Sequence, residues 1–222
     1  MMEVVFMDFI TATQNPNKNH QDITSERKEF EQMGISFKDI ALIPKDVLDE
    51  ILDATKDIFN QIPAIKGVLT SFTVREMDED IIAGASPYFE GKNLKFEISL
   101  NSKLWYDSKV LRNEIKDSFK RGFLATSTPK GTIYHEIGHV INGMIIFSII
   151  KWEWLFLLDW NHNFTIHRVL ANYNIFAKNI SYISDYATQD SGEAYAEIFA
   201  AYYAGKKLSP KMQQMIKESI KF

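Results

Sequence analysis

The feature that most restricts how this chain can fold is Tyr134-His135-Glu136-Ile137-Gly138-His139-Val140, two histidines four residues apart with a glutamate beside the first. On a helix of 3.6 residues per turn, His135 and His139 stand one above the other, so both imidazoles can reach one metal ion. The opposite face carries Ile133, Ile137, Val140 and Met144 at helical spacing, which predicts a helix buried against a core. Gly138 is a poor helix former at mid-helix, and suits a place where another segment crosses closely. Ser127-Thr128-Pro129 upstream offers a cap and a first-turn proline for this helix.

The chemistry expected of such a pair is that of zinc held by three protein ligands and a water whose pKa the metal lowers toward neutrality. Glu136, next to the metal but not on it, is the candidate general base, taking the proton and later passing it to a leaving amine. With only five histidines in 222 residues, chance rarely produces this motif in a helical setting.

Two histidines need a third ligand. Asn142 and Ile145 stand where a glycine and a further histidine would be required for the metzincin pattern, so the third ligand lies farther on. The candidates are Asp159, His162, His167, Asp185, Asp190, Glu193 and Glu197. His162 and His167 are five residues apart around a turn-like Asn163-Phe164 and read as structural histidines. Glu193, Ala196, Glu197, Ala200 and Ala204 share one face of a second helix, whose small alanines permit close approach to another backbone. Tyr195, Ile198, Phe199 and Tyr202 make the other side apolar, so two carboxylates on a buried face require a cation. Glu193 is therefore expected to be the third ligand, and Glu197, one turn on, to accept an N–H from a ligand histidine and fix its ring. A solvated helix with fortuitously aligned glutamates is the alternative.

Composition excludes several classes. There is no cysteine, hence no disulfide, thiol nucleophile or thiolate ligand. The formal net charge of −4 collects its acidic excess in residues 1–100, and neither half carries a basic patch dense enough for nucleic acid. Residues 1–13 are apolar but lack a basic leader and a long apolar stretch, so no secretory signal is expected, leaving the compartment open between the cell interior and a mature secreted fragment. Residues 144–158, with Phe147, Trp152, Trp154 and Phe156, are too short and too interrupted by Lys151 and Glu153 for a membrane span, and are expected to form a buried helix or the floor of a pocket.

Along the chain, residues 11–32 read as a loop or loose arm, which sets an expected division into an N-terminal arm (1–40) and one catalytic domain (41–222). A helix is expected between Pro44 and Pro63, on the stripe Val47, Leu48, Ile51, Leu52, Ile58 and Phe59. Strands are expected at 67–75, 81–86 and 94–100, followed by a helix from Trp105 to about Lys120 that Gly122 ends. Sheet first and helices after gives an α+β fold, with residues 94–100 as the edge strand beside the site. The loop 87–93 and the Trp152/Trp154 region are the expected specificity walls.

The motif together with Tyr186, seven residues before Glu193, and Ala196-Glu197 behind it resembles the lethal-factor catalytic domain and the Pro-Pro endopeptidases, which are gluzincins. The resemblance covers 132–143 and 182–204. It implies a zincin-like fold, a small twisted sheet over an active-site helix with a C-terminal helical half. It also implies one catalytic Zn2+ on His135, His139 and Glu193, an extended protein or peptide substrate, and a Tyr186 hydroxyl that stabilises the oxyanion. The expected activity is that of a zinc metalloendopeptidase. The alternatives are a catalytically silent, zinc-stabilised toxin or phage-associated interaction domain, and a hydrolase of non-peptide amides.

Overall fold

The computed structural model describes residues 22–221, which form an α+β fold with a small mixed sheet. His20 and the apolar segment 1–13 lie outside the described residues. The helices are α1 (Thr24–Gln32), α2 (Lys45–Gln61), α3 (Ser102–Trp105), α4 (Ser108–Lys120), α5 (Pro129–Ile149), α6 (Glu153–His162), α7 (Phe164–Asn172), α8 (Ser191–Tyr203) and α9 (Pro210–Ser219). The strands are β1 (Ser36–Lys38), β2 (Leu69–Arg75), β3 (Ala83–Glu90) and β4 (Asn93–Asn101), in the spatial order β1-β2-β4-β3.

Several elements begin and end where local chemistry dictates. Pro44 immediately precedes α2, whose buried stripe is Val47, Leu48, Ile51, Leu52, Ile58 and Phe59. Asp107 caps α4 by accepting from Lys109 and Val110 N–H, and Gly122 follows that helix at φ 79, a conformation that favours glycine. Thr128 caps α5 by accepting from Gly131 N–H, with Pro129 in the first turn.

The structure departs from the sequence expectations at three places. Residues 24–32 are helical rather than loop: Phe30 is 1% exposed and sits edge-on to Phe37 and Phe72, so α1 and β1 belong to the same core as the sheet. The second departure concerns the sheet edge. β4 lies inside the sheet, parallel to β2 and antiparallel to β3, which leaves β3 at one edge and β1 at the other. Alternation in residues 94–100 signalled one polar and one apolar face, but says nothing about whether a strand has one neighbour or two. The third departure is at 144–158, which is not one buried helix. It divides between the end of α5 and the start of α6, leaving Trp152 and Trp154 68% and 66% exposed.

Beneath the sheet lies α5, buried along most of its length and packed chiefly against α8, α2 and β3. Gly138 is what lets α8 come so near: a Cβ there would stand 2.9 Å from Ala196 Cα and 3.2 Å from Phe199 Cβ. The glycine on one helix and the alanine on the other together bring the two functional faces into contact. Among the described residues, no helix is long and apolar enough to cross a membrane.

Candidate metal centre

His135 and His139 project from the second and third turns of α5, and Glu193 from the first turn of α8. Asp190 fixes the start of α8 by accepting from the N–H groups of Gly192 and Glu193, which aims Glu193 at the histidines. His135 Nε2 and His139 Nε2 are 3.1 Å apart, and Glu193 Oε2 lies 3.2 and 3.3 Å from them. Tetrahedral ligands at about 2.0–2.1 Å from a common centre are separated by about 3.3–3.4 Å. The three atoms thus make a triangle of the size a single ion requires. Glu193 Oε2 is buried and accepts no well-aimed hydrogen bond, an unmet acceptor that a cation would satisfy. His135, His139 and Glu193 therefore lie close enough to hold a metal ion.

Behind this triangle, Glu197 is 1% exposed. Its Oε1 accepts from His135 Nδ1 at 2.7 Å, and its Oε2 accepts from the Ala125 N–H. A proton held on Nδ1 leaves the Nε2 lone pair free for a metal. Burial opposes charge on His135, but the carboxylates of Glu193 and Glu197 outweigh it and raise the imidazole pKa well above its ordinary value. Burial likewise works to raise Glu193, yet His139 and His135 hold its carboxyl far below the usual carboxylate range.

Glu136 is 5% exposed, and lines the cleft with His135 and His139. Burial pushes its carboxyl up, opposed by the two histidines and by an N–H from Ala85, and reinforced by Glu193. A carboxyl moved toward neutrality is suited to accepting a proton and returning it. Tyr186 begins a short 3-10 turn, Tyr186–Thr188, that is tied to the 122–123 segment by Asp185 N–H to Gly122 O and Tyr186 N–H to Phe123 O. Its ring lies between Phe123, at 4.9 Å, and His135, at 5.7 Å. Burial raises the phenol pKa, helped by Glu193 and Glu136, so Tyr186 keeps its proton and can donate it in a hydrogen bond.

A cleft of about 890 Å³ opens over these residues. Ala83, Gly84 and Ala85 of β3 form one wall; Phe123, Thr126, Asp185 and Tyr186 form part of the other, and Trp160 stands beside His139. Trp152, Trp154 and the residues 87–93 do not line it. The side walls expected from sequence are thus supplied by β3 and by Trp160 instead. A run of small residues, Ala83-Gly84-Ala85, was the sequence signal for a strand that leaves its backbone approachable, and the Trp-rich stretch drew attention to the wrong tryptophans.

The remaining candidates have structural partners. Asp159 accepts from the N–H and hydroxyl of Thr165 and so anchors the start of α7. His162 stacks on Phe164, and His167 Nδ1 lies 3.0 Å from Ser191 Oγ at the start of α8. No family model matches the chain, and no curated protein or solved structure matches it at a significant level.

Proposed function

We propose that the chain is a zinc-dependent endopeptidase of gluzincin type, similar to the lethal-factor and Pro-Pro endopeptidase domains. The observation that carries this reading is the triangle of His135, His139 and Glu193 ligand atoms at tetrahedral spacing, with Glu136 beside it in the same cleft. Two imidazoles and one carboxylate are a donor set that suits zinc and leaves a coordination position open. When bound there, zinc would supply Lewis acidity to the substrate carbonyl and to the attacking water.

The residues of the chain would do the rest. Glu136, buried and raised toward neutrality, would take the proton from the attacking water and deliver it to the leaving amine. Tyr186, protonated and approaching from the opposite wall, would donate its phenol hydrogen to the negative charge that develops on the carbonyl oxygen. Glu197 holds the His135 ring in place. The exposed edge of β3 would hydrogen-bond the substrate backbone in extended form.

The test is metal content and turnover measured together in wild type and Glu136→Gln, with a diverse peptide library read by mass spectrometry. One zinc per chain in both proteins, with cleavage by wild type and a loss on the order of 10²–10⁴-fold in the variant, is the expected outcome. Zinc in both with cleavage by neither would favour a zinc-stabilised interaction domain. Absence of zinc from both would refute the proposal.

A further inference from the structure

We infer that Trp160 forms the wall of a subsite that takes a large apolar side chain on the amino-terminal side of the scissile bond. The inference rests on the endopeptidase reading and deepens it by naming a substrate class. It begins with the register of β3. Glu90 pairs with Asn93 across the two-residue turn, and Tyr88, Ser86 and Gly84 pair with Lys95, Glu97 and Ser99. Asn101 N–H donates to Ile82 O, continuing the same alternation. The even-numbered residues of β3 therefore bond inward to β4, and the backbone groups of Ala83, Ala85, Pro87 and Phe89 point off the sheet edge. Pro87 has no N–H to offer and the Ala85 N–H is engaged by the Glu136 carboxylate, so the usable edge is the backbone of Ala83 and the carbonyl of Ala85, two residues that line the cleft.

Strand direction then orders the cleft. Going from Ala83 to Phe89, β3 runs toward the cluster in which Phe89 meets Phe147 at 5.8 Å and Phe156 at 5.5 Å, and Phe156 stacks on Trp160. A peptide added antiparallel to β3, the more stable pairing, runs the other way. Its residues before the scissile bond then lie toward Trp160, and those after it toward the segment that precedes β3.

The two ends differ in chemistry. The segment before β3 brings Met77, Glu79, Asp80, Ile81 and Ile82 to the cleft, a mixture of carboxylates and aliphatic groups, whereas the Phe89 end leads to the aromatic face of Trp160. Trp160 is only partly buried, with its ring edge-on to Phe96 at 5.4 Å and 6.3 Å from the His139 ring. Gly143, one turn beyond His139, makes this placement possible. A Cβ there would lie 2.3 Å from Phe96 Cζ and 3.3 Å from Trp160 Cζ3, so any larger residue would displace the wall. What Trp160 presents to the cleft is an aromatic surface next to His139, a place for an apolar side chain.

The experiment profiles cleavage by wild type, Trp160→Phe and Trp160→Ala on peptides that place Leu, Phe, Gly or Asp at each position before the scissile bond. Folding and bound zinc are checked in each protein. Binding of the Leu and Gly peptides to Glu136→Gln and to Glu136→Gln/Trp160→Ala is measured by calorimetry. Wild type is expected to prefer Leu and Phe at one such position by roughly ten- to hundredfold in kcat/KM, Trp160→Phe to retain part of that preference, and Trp160→Ala to lose it, its ratio of kcat/KM for Leu over Gly peptides falling toward one. If Trp160→Ala fails to fold, the wild-type and Trp160→Phe profiles decide. Cleavage without apolar preference before the bond, an apolar preference only after it, or an unchanged preference in Trp160→Ala would each overturn the subsite and leave the peptidase intact. Absence of cleavage by wild type would sink the peptidase reading, and equal binding of Leu and Gly peptides to Glu136→Gln would then sink the subsite separately.

Discussion

At the residue scale, the centre depends on side chains whose protonation is set by their neighbours. Tyr186 is kept protonated by burial and by the negative charges of Glu193 and Glu136. It is held by ring contacts with Phe123 and His135, which removing only the hydroxyl would spare. Tyr186→Phe is therefore expected to lower kcat about 10²–10³-fold, the effect of losing one oxyanion donor, with KM and bound zinc nearly unchanged. Steady-state kinetics with metal analysis checks this, and a full-rate variant would remove Tyr186 from the mechanism. Tyr186 was legible in the sequence only by its spacing from Glu193 within a resemblance. Its contact with Phe123 was not, because the two residues are 63 positions apart and meet only where the segments around them pair.

At the element scale, the site is the seam between α5 and α8. Gly138→Ala improves helix propensity by roughly 0.8–1 kcal/mol, but overpacking against Ala196 and Phe199 costs about 1–3 kcal/mol. The net expectation is a less stable protein with weaker metal binding, since pushing α8 away carries Glu193 off the histidines; denaturant titration and a metal-affinity measurement together test it. A second tie joins α5 to α2. The Tyr134 hydroxyl donates to Asp57 Oδ2 at 2.6 Å, and Lys130 Nζ lies 2.7 Å from the same oxygen. Burial works to raise Asp57, but Lys130 and Tyr134 outweigh it and depress its pKa. A depressed carboxyl contributes stability above its unfolded pKa of about 3.9 and loses it as pH falls through the lower folded value. Because Asp57 is nearly half exposed, Asp57→Asn is expected to cost only about 1 kcal/mol at pH 7. That difference should shrink below about pH 4, and urea midpoints at pH 7 and pH 3 measure it.

At the scale of the whole molecule, one core carries both the sheet and the seam that bears the ligand triangle. The carboxylates of Glu193 and Glu197 favour a second proton on His135, which a cation bound at the triangle would displace, so metal binding is expected to release protons. Metal at 100-fold above its Kd would add about 2.7 kcal/mol, or roughly 5–10 °C in Tm for a chain of this length. Thermal melts with and without chelator test this, and identical melts would argue against occupancy of the triangle.

The sequence by itself determined the helix of His135 and His139 with its cap, the helix of Glu193 and Glu197, the close crossing at Gly138 and the α+β class. All of these follow from periodicity and local chemistry within about 20 residues, which is the range over which a helix face can be read. Only the tertiary structure decided that β3 and not β4 is an edge strand, that residues 24–32 join the core as a helix, and that Trp160 rather than Trp152 or Trp154 flanks His139. Strand order and the choice among neighbouring tryptophans depend on which distant surfaces exclude water together, and hydrophobic burial carries no direction that a local pattern could reveal. The triangle of ligand atoms lies between these cases: its residues are marked in the sequence, but their 3.1–3.3 Å spacing exists only because α5 and α8 pack backbone to backbone.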